Sequence, residues 1–438
     1  MKAVFRVVQV VTAFAAAVCA IAAASAQQTS SITPVPPPPP VLPWSGLSGA
    51  SGHPLMTADA IRAAAEDFPN CLERLWPEAA RRGVSRATFV LYTAGLTPDL
   101  RIMDLLDAQP EFTTALWGYL DSLVSDERIS IGRNMLTQHR KTFEQVERVY
   151  GVDRHILAAI WGVETRYGTM VGDRPVVRST ATLACVGRRR DFFRDEFLAT
   201  LEILHRGDLT AEQLKGSWAG AFGPTQFMPT TFKRFAVDFD GDGRRDVVDS
   251  VADVLASTAN NLKKDGWIPG EPWGYEVELP VGFDYLLADR SKQMTVAEWE
   301  ALGLRRPDEK AFANGDERAF LLLPAGAQGP AFLMLPNFLV LMKYNPAEAY
   351  ALAIGHLADR MRGEAPFAQP WPRNEPVLTR DERRELQERL RSHGFDLGEP
   401  DGRLGLRSRA AIREYQVSIG VIPDGFASAD ILARLRNQ

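Results

Sequence analysis

The chain has 438 residues, which is more than one ordinary domain requires, so its length predicts two or three domains. Hydrophobic residues make up 45% and charged residues 24% of the chain, as in a soluble globular protein with a well-formed core. The net charge of -5 argues against a nucleic-acid partner, because proteins that bind nucleic acids normally carry a basic surface.

The first residues have the pattern of an export signal. Lys2 and Arg6 provide a short basic start, and residues 7–23 are almost entirely apolar. Residues 24–26 (Ala-Ser-Ala) fit the small-x-small pattern of a signal-peptidase site. This pattern predicts a cleaved signal peptide at residues 1–26 and a periplasmic protein.

Soluble export is favoured over two membrane-attached alternatives. A membrane-spanning anchor is disfavoured because the apolar run is short and is followed by polar residues and proline. Cys19 raises the alternative of a lipoprotein, but Val18 is bulky where a small residue is expected before the lipidated cysteine.

Removal of the signal peptide leaves two cysteines, Cys71 and Cys185. In an oxidising compartment such a pair can form a disulfide. It is equally consistent with the sequence that both cysteines are small residues buried in the core, without a bond between them. The sequence alone leaves both open.

A proline-rich segment lies within residues 27–57, and it predicts a disordered linker with a stiff polyproline stretch. Beyond it, helical periodicity dominates, so the fold is predicted to be mainly α. The best strand candidates are residues 275–279 and 319–323. The predicted helices before the strands are residues 60–67, 76–82, 110–125, 126–150, 154–167 and 190–206.

A second proline-rich linker at residues 364–377 follows a predicted helix at 346–361. The remaining residues, 378–438, form a small unit with predicted helices at 380–392 and 408–419. A unit of this size is better suited to binding than to catalysis.

Glu164 is the first candidate for chemistry. Leu157, Ile160, Trp161 and Glu164 fall at positions i, i+3, i+4 and i+7, which is one face of a helix. Burial beside apolar side chains disfavours a charged carboxylate, and a carboxyl group that stays protonated is suited to act as a general acid. The alternative is a glutamate at the edge of the core, paired with Arg166 or another cation.

Residues 215–229 contain three glycines together with Ser217, Gln226 and several aromatic residues. Glycines allow the backbone to approach a ligand closely, and serine and glutamine can bond to sugar hydroxyl and acetamide groups. The stretch therefore suggests a loop that lines a binding groove. A tight corner between two helices is the alternative.

Residues 238–249 resemble a calcium-binding loop of the EF-hand type. The twelfth position, Asp249, holds aspartate where a bidentate glutamate is usual, so the closing ligand is uncertain from spacing alone. A solvated acidic turn is the alternative; if calcium binds, a structural role is expected. The acidic residues at positions 1, 3, 5 and 9 are Asp238, Asp240, Asp242 and Asp246. Position 6 is Gly243, and position 7 is Arg244, which offers its backbone carbonyl.

The sequence lacks the His-Glu-x-x-His, Gly-x-Ser-x-Gly and phosphate-loop motifs. Zinc peptidase and serine hydrolase chemistry therefore lose support. We expect no nucleotide partner and no organic cofactor.

Taken together, the motifs resemble the membrane-bound lytic murein transglycosylase B family over residues 58–363. Residues 378–435 separately resemble the three-helix peptidoglycan-binding domain, through residues 401–405 and 410–416. The motifs that carry the first resemblance are residues 109–112, 161–168, 181–183, 187–189, 216–229, 238–246, 335–338 and 343–345.

The resemblance implies a lysozyme-like helical catalytic domain with small β elements and an EF-hand-like loop, followed by a small three-helix domain. It implies that Glu164 is the catalytic acid and base. It also favours Asp253 over Asp249 as the closing calcium ligand. The implied substrate-groove residues are Arg188, Arg189, Ser217, Gln226, Phe227, Met228 and Tyr344. The implied calcium ligands are Asp238, Asp240, Asp242, the Arg244 carbonyl and Asp253.

Two residues depart from the family pattern: Pro224 stands where glycine or glutamine is frequent, and Asn261 replaces a usual tyrosine. The implied reaction is cleavage of the β-1,4 bond between N-acetylmuramic acid and N-acetylglucosamine without hydrolysis, which leaves 1,6-anhydromuramic ends. The expected partners are peptidoglycan strands and, beyond them, other cell-wall enzymes. A hydrolytic muramidase and a non-catalytic wall-binding scaffold are the alternatives.

Overall fold

The computed structural model describes residues 44–49, 51–106 and 115–437. The predicted signal peptide, most of the proline-rich segment and the first part of the predicted helix at 110–125 lie outside these ranges. Within them, no helix has both the length and the hydropathy that crossing a membrane requires.

The described residues are mainly helical, as predicted, with short strands between the helices. The helices are α1 Ala58–Glu66, α2 Phe68–Arg81, α3 Arg86–Thr93, α4 Arg101–Leu106, α5 Leu116–Leu123, α6 Asp126–Gln138, α7 Arg140–Tyr150, α8 Arg154–Thr165, α9 Val176–Cys185, α10 Arg190–Arg206, α11 Pro229–Phe235, α12 Val251–Lys264, α13 Val296–Ala301, α14 Pro336–Tyr344, α15 Glu348–Arg362, α16 Arg380–Ser392, α17 Leu406–Ser418 and α18 Ala429–Arg436. The strands are β1 Arg174–Pro175, β2 Lys215–Gly216, β3 Gly274–Val277, β4 Met294–Thr295, β5 Arg318–Leu322 and β6 Ala331–Met334.

The single helix predicted at 126–150 is wrong in one respect, because it is broken at His139 into α6 and α7. His139 leaves the helical conformation, with φ -105° and ψ 25°, and its ring lies 5.9 Å from that of Trp161. A break of one residue barely disturbs the spacing of apolar residues, so periodicity alone cannot detect it.

Four strands form an antiparallel sheet in the order β3-β6-β5-β4. Leu333 at the centre of β6 pairs with Tyr275 of β3 and with Leu321 of β5. Two of these strands, β3 and β5, correspond to the predicted ones. The sequence does not predict β6, because its short apolar run has no alternation that separates strand from helix.

Two large hydrophobic cores meet between residues 56 and 361. One core includes the buried side chains of α8 and α15, and the other is built mainly from α1–α4 and α9–α11. Tyr344, at the end of α14, packs against both. The boundary between the cores is therefore where elements distant in sequence converge.

Helices α16–α18 form a separate small domain with its own core, referred to below as the C-terminal domain. Polar contacts dock it on the preceding residues. Arg409 of α17 donates a hydrogen bond to Glu348 at the start of α15, at 2.8 Å, and Arg413 donates to the carbonyl of Ala288, at 2.7 Å.

Cys71 on α2 and Cys185 at the end of α9 are joined by a disulfide, with their Cα atoms 6.0 Å apart. The structure thus selects one of the two interpretations that the sequence left open. The bond closes a loop with a sequence separation of 114 residues.

Replacement of both Cys71 and Cys185 by serine should lower the free energy of unfolding by roughly 2 to 5 kcal/mol, because the unfolded chain regains the freedom that the cross-link removes. Thermal melting checks this. A reducing agent should lower the melting temperature of the unaltered protein and leave that of the double variant unchanged. Equal sensitivity of both proteins would contradict a stabilising disulfide.

Candidate active site

Helix α8 presents Glu164 in its last turn. The helix begins after Asp153, whose carboxylate accepts the backbone N–H of His155 at 2.7 Å, and most of its side chains are buried. Leu157, Ile160 and Trp161 are all buried, as the helical face predicts, whereas Glu164 is half-buried. The carboxyl group therefore sits where the apolar face of α8 reaches the surface.

The chain reverses sharply just after Glu164. Arg166 and Tyr167 both adopt left-handed backbone conformations, with φ of 49° and 57°, which residues other than glycine seldom adopt. The hydroxyl of Tyr167 donates to the carbonyl of Arg128 at 2.9 Å, and its ring lies so close to Gly162 that a Cβ there would collide with it. Burial of Tyr167 thus holds the unusual turn in place.

Tyr350 of α15 is a direct hydrogen-bond partner of Glu164. Its hydroxyl donates to Oε1 of Glu164 at 2.7 Å. Burial, followed by the charge of Glu164, raises the pKa of Tyr350 well above its ordinary value. Tyr350 therefore remains a hydrogen-bond donor over the physiological pH range.

Tyr344, a predicted groove residue, lies beside Tyr350. The two rings are parallel within 2°, with centroids 6.4 Å apart, and the Tyr344 hydroxyl donates to the carbonyl of Thr225 at 2.6 Å. Burial, followed by the charge of Glu164, also raises the pKa of Tyr344 well above its ordinary value. Tyr344 thus connects the acid to the predicted groove loop.

Thr165 makes a second connection between the helix and the loop. Its buried hydroxyl donates to the carbonyl of Pro224 at 2.5 Å and accepts the backbone N–H of Gly168 at 2.9 Å. Pro224, which departs from the family pattern, is itself buried and contributes its carbonyl to this contact. The residue next to Glu164 is therefore bonded to the loop opposite.

The predicted groove loop is tightly folded. Gln226 has a left-handed conformation with φ 53°, and its side-chain amide donates to the carbonyls of Val171 and Gly223, at 3.1 and 3.0 Å. The hydroxyl of Ser217 accepts the backbone N–H of Ala221 at 3.1 Å. Both predicted side chains are half-buried and in part support the loop.

Phe227 is buried, whereas its predicted role as a substrate contact requires an accessible ring. Its side chain is only 1% exposed, and it belongs to the same hydrophobic core as Phe222. An aromatic ring buried in a core cannot stack on a sugar, so we correct the predicted role of Phe227 from substrate contact to support of the loop. Asn261, at the position of the usual tyrosine, is likewise buried, at 5% exposure. Met228 is half-buried.

Arg188 and Arg189 follow helix α9. Arg188 donates to the carbonyl of Leu106 at 2.9 Å and is half-buried. Arg189 is exposed, and its guanidinium carbon lies 4.5 Å from the ring centroid of Phe192. Desolvation, followed by the charges of Arg188 and Arg403, lowers the pKa of Arg189.

The acidic loop brings together only part of the predicted ligand set. Carboxylate oxygens of Asp238, Asp240 and Asp253 lie within 4.8 Å of one another. Asp242 is outside this group and accepts the backbone N–H of Arg244 at 2.8 Å. The grouping agrees with the preference for Asp253 as the closing residue.

Asp253 is buried and is held by the loop itself. Its carboxylate accepts the backbone N–H groups of Phe239 and Asp246, at 2.7 and 2.8 Å. Desolvation raises its pKa, and the charge of Asp240 adds to this effect. Asp249 instead accepts a hydrogen bond from Gln213, at 2.7 Å. The loop therefore folds around Asp253, and Asp249 faces Gln213.

Two parts of the chain match described protein families. Residues 67–359 match the family described as "Transglycosylase SLT domain", and this match covers more than half of the chain. The chain belongs to this transglycosylase family. Residues 379–435 match the "Putative peptidoglycan binding domain".

Membrane-bound lytic murein transglycosylase B of Escherichia coli is 32% identical over 246 residues, which is 55% of this chain and 65% of that protein. The match thus spans slightly less than two thirds of that relative. The crystal structure of SltB3 from Pseudomonas aeruginosa, in complex with NAG-anhNAM-pentapeptide, is 44% identical and covers 84% of this chain and 99% of that one, with a TM-score of 0.81. The structure of Slt35 from E. coli in complex with calcium is 26% identical, covers 72% and 95%, and has a TM-score of 0.58.

The candidate site contains residues that the sequence does not predict. Tyr350 lies in the helix predicted at 346–361, and no local pattern assigns it a role, although a buried tyrosine usually requires a hydrogen-bond partner for its hydroxyl. Thr165, Val171 and Thr225 were also missed. Their contacts depend on a neighbour distant in sequence, so local patterns carry no signal for them.

Replacement of Thr165 by valine should lower the stability of the protein by roughly 1 to 3 kcal/mol, because the buried carbonyl of Pro224 and the N–H of Gly168 lose their partner. Hydrogen exchange should also accelerate in residues 217–229. Thermal melting and exchange mass spectrometry measure the two effects. Thr169→Val removes an exposed hydroxyl as the matched control, and an equal loss in both variants would contradict the proposed contact.

Proposed function

We propose that this chain is a lytic murein transglycosylase that cleaves the β-1,4 bond between N-acetylmuramic acid and N-acetylglucosamine without water. The hydrogen bond between Tyr350 and Glu164 is the observation that carries the proposal, since it holds one carboxyl group at the boundary of the two cores. Family membership supports the same activity. The complex of SltB3 with NAG-anhNAM-pentapeptide, which contains an anhydro sugar, adds support.

In the first step, Glu164 in its protonated form donates its proton to the glycosidic oxygen. The bond from C1 of the muramic residue to that oxygen breaks, and the departing strand leaves with a free 4-hydroxyl group. An oxocarbenium-like centre develops at C1. The substrate's own 2-acetamido group stabilises this centre in place of an enzyme nucleophile.

In the second step, Glu164 is a carboxylate and acts as the base. It accepts the proton of the C6 hydroxyl of the same muramic residue while the C6 oxygen bonds to C1. The 1,6-anhydro ring closes, no water is consumed and Glu164 is again protonated. Between the two steps, the hydrogen bond donated by the Tyr350 hydroxyl orients the carboxylate and stabilises its charged form.

Replacement of Glu164 by glutamine should reduce formation of anhydromuramic products by about 10²- to 10⁴-fold, because proton transfer is lost. Tyr350→Phe keeps the ring and removes the hydroxyl, and should lower kcat by about tenfold. Digestion of isolated sacculi followed by mass spectrometry measures both. Tyr92→Phe, on α3, is the matched control and should retain full activity.

The same assay separates the alternatives. Products that are heavier by one water, with reducing muramic ends, would replace the proposed mechanism with hydrolysis. Unchanged turnover in Glu164→Gln would exclude Glu164 as the acid. Absence of any cleavage by the unaltered protein would favour a wall-binding scaffold.

We further propose that residues 238–253 form a structural calcium site. Three carboxylates, those of Asp238, Asp240 and Asp253, have oxygens close to one another, and calcium prefers oxygen ligands. Asp242 and the carbonyl of Arg244 would supply further ligands. A bound cation would neutralise the mutual repulsion of the carboxylates and fix the loop that precedes α12.

Calcium in hundredfold excess over its dissociation constant should stabilise the protein by about 2.7 kcal/mol, and a chelator should remove this gain. Asp253→Asn should abolish the response, whereas Asp249→Asn should preserve it. Thermal melting with calcium or chelator measures the response without reference to activity. A response lost in Asp249→Asn alone would assign the site to the twelve-residue spacing instead.

An exported, periplasmic location is proposed with the function. The signal-peptide pattern of residues 1–26 and the disulfide between Cys71 and Cys185 support it, because such bonds persist in oxidising compartments. The C-terminal domain would hold the enzyme on the wall and raise the local concentration of its substrate.

A further inference from the structure

A cavity of about 340 Å³ is enclosed by the end of α5, the second half of α15 and residues 366–373. We call it the α5–α15 cavity, and residues 366–373 the covering segment. Its volume is within the range of small-molecule sites. None of the described residues that line it belongs to the candidate active site. The cavity therefore needs an explanation of its own.

The covering segment is a fixed wall, although the sequence predicts only a linker there. Backbone N–H groups of Ala368 and Gln369 donate to the carboxylate of Glu276, both at 2.8 Å. Arg373 donates two hydrogen bonds to Asp121 of α5, at 2.6 and 2.9 Å. Contacts at both ends of the segment thus hold the cavity in shape.

His356 lines the cavity with a ring that is only 8% exposed. The ring stacks on Phe367 of the covering segment, with centroids 3.7 Å apart and planes inclined by 18°. Among the described residues, none forms a hydrogen bond with its ring nitrogens. Buried polar groups are normally hydrogen-bonded, so an unpartnered imidazole at a cavity points to a ligand.

The protonation state of His356 defines what it offers to that ligand. Burial, followed by the charge of Arg360, lowers the pKa of His356 to about 3. The ring is therefore neutral at physiological pH. A neutral imidazole has one N–H donor and one acceptor nitrogen, so it can donate a single hydrogen bond without adding charge.

Arg360, one turn later on α15, adds a positive charge to the same wall. It is half-buried, and its Nε is enclosed without a hydrogen-bond partner. The other charged lining residues, Asp121 and Arg373, form an ion pair with each other. Among the described lining residues, one guanidinium charge thus stays uncompensated.

The remaining walls of the cavity are mainly apolar. Leu120 and Val124 lie on the side of α5, and Phe367 and Trp371 lie on the side of the covering segment. The ring of Trp371 is stacked on that of Phe332, with centroids 6.2 Å apart, so its position is set by the core. An apolar body would fit against these side chains.

One unpaired charge and one neutral donor among apolar side chains suit a monoanion. A guanidinium group binds a carboxylate through paired hydrogen bonds. A dianion such as a phosphate monoester would bring a second negative charge that finds no partner, and burial of an unpaired charge is costly. The lining therefore favours a carboxylate over a phosphate.

We propose that the α5–α15 cavity binds a small apolar molecule that carries one carboxylate group. The carboxylate pairs with the guanidinium of Arg360 and accepts the N–H of His356. The apolar part lies between α5 and the covering segment. The site is separate from the glycan reaction, and the proposal does not depend on the proposed function.

Benzoate is the probe for this site, and benzamide, which is neutral and has nearly the same shape, is its matched control. In ligand-observed NMR titrations of the unaltered protein, benzoate should bind about tenfold more tightly than benzamide, because only the carboxylate can pair with Arg360. Phenyl phosphate should bind more weakly than benzoate. Equal binding of benzoate and benzamide, or tighter binding of phenyl phosphate, would overturn the proposed class of ligand.

Variants of the two polar residues locate the binding. Arg360→Gln should weaken benzoate binding about tenfold and leave benzamide binding unchanged. His356→Phe keeps a ring that can stack on Phe367 and removes the N–H, so it should weaken benzoate binding about threefold. Arg140→Gln is the matched control, since Arg140 is an exposed arginine of α7 that does not line the cavity, and it should bind benzoate normally. Benzoate binding that is unchanged in Arg360→Gln would contradict the site.

A crystal of the unaltered protein soaked with 4-bromobenzoate tests the proposal without relying on the folding of any variant, because anomalous scattering locates the bromine. We expect the carboxylate within hydrogen-bond distance of Arg360 and His356, and the bromine beside Leu120 or Trp371. Bromine found only elsewhere on the protein would overturn the proposal. These measurements use no glycan, so their outcome is independent of whether the chain cleaves peptidoglycan.

Discussion

The fixed position of α8 between its neighbours is the constraint on which the site depends. At one end, the carboxylate of Asp153 accepts a hydrogen bond from Arg362 at 2.7 Å, and at the other, Glu164 accepts one from Tyr350. Both partners belong to α15. Desolvation alone would raise the pKa of Asp153, but the bond to His155 and the charge of Arg362 lower it well below its ordinary value. The helix that carries the acid is thus held at both ends by one other helix.

This restraint has a consequence for chemistry, because a general acid must be held at a defined distance from the bond it protonates. The contact of Thr165 with Pro224 sets the opposite wall, and Tyr344 connects that wall to α14 through Thr225. The site lies where the two hydrophobic cores meet, so each wall belongs to a separately packed body. Side chains buried in those cores, rather than surface groups, therefore fix the backbone on both sides of Glu164.

Much of the fold was accessible from the sequence, since periodicity predicted α10 and α16 at their observed bounds and placed Glu164 on a buried face. The correction to Phe227 shows the limit of such reasoning. An aromatic residue in a glycine-rich loop is equally compatible with stacking on a sugar and with burial. Its burial follows from packing in a core with Phe222 and Phe232, which the local sequence does not encode.

The acidic loop shows the same limit in another way. Counting twelve positions leads to Asp249, whereas the chain folds back so that Asp253, four residues later, meets Asp238 and Asp240. The family resemblance implies Asp253 because the sequence pattern of a family reflects a shared fold, in which residues distant in sequence already lie together. The spacing of the acidic residues predicts a cluster of carboxylates in this loop. Which carboxylates join the cluster depends on the three-dimensional path of the chain.

The surroundings of Glu164 bear on how one carboxyl group can serve both steps of the reaction. Ordinary glycoside hydrolysis uses a second carboxyl group, either as a base for water or as a nucleophile. The phenol groups of Tyr350 and Tyr344 cannot take either part, because burial and the charge of Glu164 keep them protonated. Both can donate hydrogen bonds, and Tyr350 donates one to Oε1 of Glu164, the proposed acid and base. In the proposed mechanism one carboxyl group serves both steps, so what it needs from its surroundings is a fixed position beside C1 and C6 of the muramic residue, and the hydrogen bond from Tyr350 fixes that position.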